Sequence, residues 1–143
     1  MTMESGSSTS EGGLARRRIL VVEDEEDART FLTTVLEDAG AETYEALDGD
    51  EALVVARREK PDLITLDLSM PGKDGVQAFV ELREDDELAD IPVCIVTGHP
   101  EFRKVIYDKP VRAPEGYMNK PVDEDDLIFN LRRILGVREK KRG

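Results

Sequence analysis

The chain has 143 residues and a formal net charge of −12, from 32 acidic and 20 basic residues. This length suits one domain with a single core, and the charge disfavours nucleic acid and anionic lipid as partners. The single cysteine, Cys94, excludes an intramolecular disulfide, and no apolar run approaches the roughly 20 residues of a membrane span. We therefore expect a cytoplasmic protein that is neither exported nor inserted in a membrane.

The two ends of the chain differ in composition from its middle. Residues 1–17 are predicted to be a disordered tail, because the stretch up to Leu14 is rich in Ser, Gly and Thr and has little to bury. Residues 138–143 form a basic C-terminal tail after a helical pattern, where the helix dipole favours cations. Residues 18–137 are predicted to fold as one domain.

Between the tails, strand and helix patterns alternate five times, which indicates a parallel sheet covered by helices on both faces. Strands are predicted at 19–22, 42–46, 63–66, 93–96 and 117–119. The first helix carries its apolar residues at helical spacing: Ala28, Phe31, Leu32, Val35, Leu36 and Ala39. The second opens with Asp48 and Glu51 at the spacing of a capping box. After a turn at Pro71 and Gly72, the third carries Val76, Phe79 and Val80, and the last carries Leu127, Ile128, Leu131, Ile134 and Leu135.

The fourth helix is expected to be short or irregular. In residues 101–114, Pro110 and Pro114 remove backbone donors and clash with a continuing helix, so any helix should end by about Asp108. A surface built from this helix, the last strand and the last helix would consequently be altered.

Polar residues follow several of the predicted strands, where open α/β sheets place their sites. Glu23 and Asp24 follow the first strand, Asp67 the third, Thr97 the fourth and Lys120 the fifth. Three confined carboxylates repel one another, so we expect them either to raise the pKa of one of their number or to recruit a hard cation, for which Mg²⁺ is well suited. Asp67 would then act as a nucleophile toward phosphorus, with positive charge from the metal ion and Lys120 and a hydroxyl donor from Thr97.

Five short motifs occur in the following chain order: ILVVEDE at 19–25, LDGDEAL at 47–53, DLSMPGKDG at 67–75, VTG at 96–98 and KP at 120–121. With these motifs the chain resembles the receiver domain of two-component response regulators over about residues 18–137. Each motif is weak alone, and their order and separations together make a strong signal. The resemblance implies a flavodoxin-like α/β fold with sheet order 2-1-3-4-5.

The resemblance also implies roles for single residues. Asp67 would be the phosphoacceptor, and Glu23, Asp24, Asp67 and the backbone carbonyl of Ser69 would hold Mg²⁺. Glu23 stands where the family more often has Asp, which should alter metal geometry slightly. Tyr117 occupies the place of the family's switch aromatic, expected to rotate inward when Thr97 moves toward a phosphoryl group.

We therefore expect a stand-alone phosphorylation-dependent switch without an output domain, which accepts a phosphoryl group from a histidine kinase or histidine phosphotransfer protein. It would signal through an unknown protein partner, with a homodimer through helix 4, strand 5 and helix 5 as one option. It would catalyse only its own phosphorylation and dephosphorylation and act on no external substrate. The alternative is a receiver-like interaction module that works without phosphorylation. A magnesium phosphohydrolase is disfavoured, since Ser69 stands where such an enzyme needs a second aspartate.

Overall fold

The computed structural model describes residues 13–70 and 74–136. The predicted turn at Pro71 and Gly72, residues 1–12 and the predicted C-terminal tail lie outside the described residues.

The described chain alternates strands and helices as the sequence predicts. The strands are β1 (Arg18–Val22), β2 (Glu42–Ala46), β3 (Leu63–Leu66), β4 (Val93–Thr97) and β5 (Gly116–Asn119). The helices are α1 (Glu26–Asp38), α2 (Gly49–Glu59), α3 (Gly75–Glu84), α4 (Phe102–Tyr107) and α5 (Glu124–Leu135). Predicted and observed strand bounds differ by at most one residue at either end.

All five strands lie in one parallel sheet with the order β2-β1-β3-β4-β5. This is the predicted flavodoxin-like order. The order reverses at β1, which pairs with β2 on one side and β3 on the other. The carboxyl ends of β1, β3, β4 and β5 therefore share one edge of the sheet.

Two apolar layers cover the sheet. Leu20, Ile64 and Ile95 of the central strands pack in one layer, with α2, α3 and Ile106 of α4. The residues beside them in sequence, such as Val21 and Cys94, face a second layer formed with α1 and α5. Helices thus lie on both faces, and strands buried on both faces read as continuous apolar runs.

The predicted capping box at α2 forms with one change of partner. Asp48 accepts a hydrogen bond from the Glu51 amide at 2.8 Å, as expected for an N-cap. The Glu51 carboxylate, however, accepts from the amide of Leu47 at 2.6 Å. The Glu51 side chain therefore binds the backbone of the residue that precedes the N-cap.

The prediction of a disordered tail through residue 17 is wrong for its last residues. Leu14 is fully buried against α1 and α5, and its amide donates to the Ala39 carbonyl at 2.9 Å. The Arg16 amide donates to the Gly40 carbonyl at 3.0 Å. The burial of the Leu14 side chain offsets the conformational entropy that is lost when this turn is ordered. Leu14 fills a site between two helix ends, and no local sequence pattern reveals such a site.

The proline-containing segment behaves as predicted. Helix α4 ends at Tyr107, with Asp108 as its C-cap. The following loop is held by Arg83 of α3, whose side chain is 2% exposed. Its guanidinium donates to the carbonyls of Arg112 and Ala113 at 2.9 Å and to Glu115 Oε1 at 2.7 Å. The chain after α4 is therefore an ordered loop in place of further helical turns, and the buried side chain of Arg83 anchors it.

None of the helices in the described ranges has the length and apolar character needed to cross a bilayer.

Candidate functional site

Three carboxylates meet at the shared edge of the sheet. Glu23 and Asp24 follow β1 directly, and Asp67 follows β3. The backbone holds them there, because the Glu23 amide donates to the Ala46 carbonyl and the Asp67 amide to the Val22 carbonyl, both at 3.0 Å. One oxygen from each of Glu23, Asp24 and Asp67 lies within 4.8 Å of the other two. Glu23 and Asp67 are buried, whereas Asp24 is exposed.

Lys120 brings a cation to this cluster from the end of β5. Its ammonium lies 2.6 Å from Glu23 Oε1 and 3.7 Å from Asp67 Oδ2. Its backbone amide donates to the Thr97 carbonyl at 2.9 Å, which continues the β4–β5 ladder by one residue. The sequence-predicted neighbours Glu23, Asp24, Asp67 and Lys120 are therefore brought together.

Burial and charge shift the pKa values of the central pair. Burial raises the pKa of Glu23, and the charge of Asp67 raises it further, against the opposing hydrogen bond from Lys120. Burial acts to lower the pKa of Lys120, but the hydrogen bond to Glu23 and the charge of Asp67 outweigh it and raise that pKa. The lysine is thus held firmly in its charged form among the carboxylates.

The donor set fits a hard divalent cation. Three carboxylate oxygens within mutual reach are the ligands that Mg²⁺ prefers, and the exposed Asp24 leaves room for water ligands. Because three carboxylates face one ammonium, the cluster also keeps an excess of negative charge. Ser69 lies beside this set, since its amide donates to Asp67 Oδ1 at 3.3 Å. The role of its carbonyl as a further ligand stays a prediction.

Thr97 lies at the end of β4 and is fully buried. Its hydroxyl oxygen accepts from the His99 amide at 3.4 Å, a bond that uses a lone pair and not the hydroxyl hydrogen. The hydroxyl is placed at the same sheet edge as the carboxylates, as the sequence predicts.

Tyr117 lies on β5 and is half-buried. Its hydroxyl donates to the His99 carbonyl at 3.3 Å. The Arg103 guanidinium lies 5.1 Å from the Tyr117 ring centre and 4.9 Å from that of Tyr107. The predicted switch aromatic is therefore held by two residues of α4 and by the loop that follows Thr97.

Two contributors to the site were not singled out by the sequence analysis. Arg29 of α1 donates to the backbone carbonyls of Glu23 and Asp24 at 3.1 and 3.3 Å. Gly75 begins α3 so close to the acceptor that an added Cβ would overlap the carbonyl oxygen of Asp67 and the Cα of Leu68. The position of Gly75 in the DLSMPGKDG motif was the only sequence signal for either residue.

An apolar cavity of about 410 Å³ opens beside Lys120, between α1 and the β5–α5 connection. Its lining includes Phe31, Leu32, Val96 and Val122. Phe31 was expected in the core from its helical spacing, but its side chain is 42% exposed and borders this cavity. The site thus combines a charged centre with an apolar flank.

Known proteins are similar to this chain in both sequence and fold. A family model described as response regulator receiver domain matches residues 19–132. Protein PilH of Pseudomonas aeruginosa is 37% identical over 118 residues, which cover 82% of this chain and 97% of PilH. The phosphate regulon transcriptional regulatory protein PhoB of the same organism is 34% identical over 119 residues, which cover 83% of this chain and 52% of PhoB. The chain therefore spans about half the length of that regulator.

The crystal structure of the chemotaxis response regulator CheY4 of Vibrio cholerae superposes with a TM-score of 0.75 at 27% identity, covering 84% of this chain and 99% of CheY4. The fold and the sequence relationships thus indicate the same family over nearly all of the described residues. The chain belongs to the response regulator receiver domain family.

Proposed function

We propose that this chain is a phosphorylation-dependent switch whose phosphoacceptor is Asp67. Receiver domains of this family act in phosphorylation-based signalling. The observation that carries the residue-level proposal is the convergence of the Glu23, Asp24 and Asp67 oxygens within 4.8 Å, with the Lys120 ammonium bound to two of these carboxylates.

The reaction is transfer of a phosphoryl group from a phosphohistidine of a histidine kinase or phosphotransfer protein. A carboxylate oxygen of Asp67 forms a bond to phosphorus while the phosphorus–nitrogen bond breaks, and the departing imidazole keeps the electron pair and takes up a proton. The apolar cavity between α1 and the β5–α5 connection is the proposed approach for the donor.

The other residues stabilise the charge that the phosphoryl group brings, about −1.5 to −2. Glu23, Asp24 and Asp67 would hold Mg²⁺, which when bound supplies positive charge against the phosphoryl oxygens. Lys120 lies within 3.7 Å of Asp67 and can pair with a phosphoryl oxygen. The buried hydroxyl of Thr97 can donate a hydrogen bond to the same group.

The output is a changed surface around Tyr117. If Thr97 turns toward the phosphoryl group, the space it leaves can admit the Tyr117 ring, which would then leave Arg103 and Tyr107. The partner that reads this change is a protein. The chain itself acts on no external substrate, and cytoplasmic location and homodimer formation stay predictions.

The test is phosphorylation by a small phosphodonor such as acetyl phosphate with Mg²⁺, followed on a gel that retards phosphoproteins. We expect retardation of the wild type and of Asp90→Asn, whose side chain is fully exposed, and none of Asp67→Asn. Retardation that persists in Asp67→Asn means that another residue is the acceptor. A wild type that is never retarded, with donor and Mg²⁺ in excess, favours the phosphorylation-independent interaction module.

A further inference from the structure

Arg29 connects the acidic turn, formed by Glu23 and Asp24, to β2, the outermost strand on one side of the sheet. It lies in the first turns of α1, and its side chain is 16% exposed. Its Nη1 donates to the Glu23 carbonyl at 3.1 Å and to the Asp24 carbonyl at 3.3 Å. Its Nε donates to Glu45 Oε1 near the end of β2 at 3.2 Å. One guanidinium thus holds two consecutive peptide carbonyls and is itself oriented by a neighbouring strand.

The two acids of the turn depend on this contact to different degrees. Glu23 is fixed from several sides, by its amide bond to Ala46, its carboxylate bond to Lys120 and its burial. The Asp24 carboxylate is exposed and makes no hydrogen bond or ion pair within residues 13–70 and 74–136. Its position is therefore set by the backbone of the turn, and Arg29 is bound to that backbone.

The turn needs such a restraint, because the three carboxylates repel one another at separations within 4.8 Å. Opening the turn would relieve this repulsion by moving the exposed Asp24 into solvent. A hydrogen bond from a charged guanidinium is stronger than a neutral one. The planar fork of arginine also loses less freedom per bond than a flexible ammonium does.

We propose that Arg29 is a positioning residue for the metal site: it holds the Glu23 and Asp24 carbonyls so that both carboxylates stay within ligating reach of Asp67. This inference rests on the proposed function of the site. Glu45 acts one step further away, because its carboxylate orients the guanidinium and makes no bond of its own to the acidic turn among the described residues.

The test compares Arg29→Met, which removes charge and fork, with Arg29→Lys, which keeps only the charge. Arg58→Met on α2 is the matched control, since Arg58 is exposed and, among the residues described, pairs only with its neighbour Glu59. Binding of Mn²⁺ alone is measured from the free ion by electron paramagnetic resonance. We expect about tenfold weaker binding in both Arg29 variants, the loss typical of an outer-shell partner, and wild-type binding in the control.

A second readout separates positioning from general damage. In phosphorylation by acetyl phosphate, the Mg²⁺ concentration that gives half the maximal rate should rise about tenfold in the Arg29 variants. The rate at saturating Mg²⁺ should stay close to that of the wild type, since Asp67 and Lys120 are untouched. A lower saturating rate with unchanged Mg²⁺ dependence would overturn the proposal.

The remaining outcomes are equally decisive. Wild-type Mn²⁺ affinity in Arg29→Met overturns the inference, and wild-type affinity in Arg29→Lys shows that charge, not the fork, is what matters and overturns it too. If circular dichroism shows that Arg29→Met is not folded, Arg29→Lys decides alone. A wild type that binds no Mn²⁺ and is not phosphorylated on Asp67 contradicts the proposed function itself, whatever the Arg29 variants do.

Discussion

The Lys120 ammonium lies closer to Glu23 Oε1, at 2.6 Å, than to Asp67 Oδ2, at 3.7 Å. One lysine therefore serves the ends of two strands, and its shorter bond is with the acidic turn. Because Glu23 is buried and Lys120 is only 25% exposed, this bond is protected from solvent screening. A single ammonium among three carboxylates leaves excess negative charge, which a bound divalent cation would offset.

Mg²⁺ should stabilise the folded protein. At a Mg²⁺ concentration tenfold above the dissociation constant, the gain in the free energy of unfolding should be about 1.4 kcal/mol. Asp24→Asn should lose most of this gain, because it removes one of the three carboxylates. Urea unfolding with Mg²⁺ and with a chelator measures the gain, and Asp90→Asn serves as the control. An equal gain in Asp24→Asn would mean that the ion binds elsewhere.

Arg103 should set how readily Tyr117 leaves its position beside α4. The guanidinium lies about equally far from the Tyr107 and Tyr117 rings, at 4.9 and 5.1 Å. Each such contact contributes about 0.5–1 kcal/mol at an exposed site. Arg103→Met should therefore increase the inward population of Tyr117 several-fold. The measurement is the ¹⁹F signal of 3-fluorotyrosine, assigned with Tyr117→Phe, before and after phosphorylation.

Lys104→Met is the control for this experiment, because Lys104 is the next residue of α4, its side chain is 85% exposed and it pairs with Asp108. The Arg103→Met signal before phosphorylation should move toward the phosphorylated wild-type position, and the Lys104→Met signal should stay in place. A Tyr117 signal that is the same in all variants and states would rule out the aromatic as part of the switch.

Glu115 should make the free energy of unfolding fall more steeply as the pH decreases. Burial acts to raise its pKa, but the hydrogen bonds from the Val93 amide and Arg83 outweigh it and lower the pKa below the ordinary 4.5. A lowered folded-state pKa gives stability that is present above the unfolded value and is lost as pH falls through the folded one. Glu115→Gln should therefore differ most from the wild type above pH 4.5, and the difference should shrink in acid.

The effect is measured from the urea concentration at the midpoint of unfolding, for the wild type and Glu115→Gln, above pH 4.5 and in more acidic solution. Glu87→Gln is the matched control, since Glu87 is exposed and its carboxylate pairs, within the described part of the chain, only with Lys60 at 3.5 Å. A Glu115→Gln difference that is constant with pH would show that the carboxylate titrates alike in the folded and unfolded states.

Thr65 presents a polar atom where a methyl group should suit the core better. The side chain is buried in the middle of β3, and its hydroxyl has no hydrogen-bond partner among the residues described. Thr65→Val should raise the free energy of unfolding by about 1 kcal/mol, because an unpaired buried hydroxyl costs about 1–3 kcal/mol. In Thr33→Val the hydroxyl that donates to Thr30 is lost, so that control should not gain stability. Calorimetry of both variants checks the sign.

The sheet and the strand-end cluster follow from sequence, because parallel strands bring their carboxyl ends to one edge and apolar runs locate the strands. Leu14, Phe31 and Arg29 were missed for three separate reasons. The burial of Leu14 depends on two helix ends distant in sequence. Phe31 keeps helical spacing but faces a cavity instead of the core. Arg29 binds backbone carbonyls, and residue types do not reveal which carbonyls a side chain reaches.

Gly75 should be required for the backbone of Asp67 and Leu68 to keep its position. An added Cβ would overlap the carbonyl oxygen of Asp67 and the Cα of Leu68, which are backbone atoms that cannot turn aside as a flexible side chain can. Gly75→Ala should cost about 1–3 kcal/mol of stability, the usual penalty for overpacking. Because the clash falls on the acceptor's own peptide, phosphorylation at saturating Mg²⁺ should slow in the fraction that stays folded.

Gly98→Ala is the control, since the one described atom that a Cβ there would meet is the Lys120 Cβ at 4.0 Å, an ordinary contact. That variant should keep wild-type stability and phosphorylation, although it lies between Thr97 and His99 at the same sheet edge. Equal behaviour of the two alanine variants would mean that α3 can shift away from Asp67 without disturbing it. The close approach of α3 would then be a packing feature alone, and Asp67 would be positioned by β3.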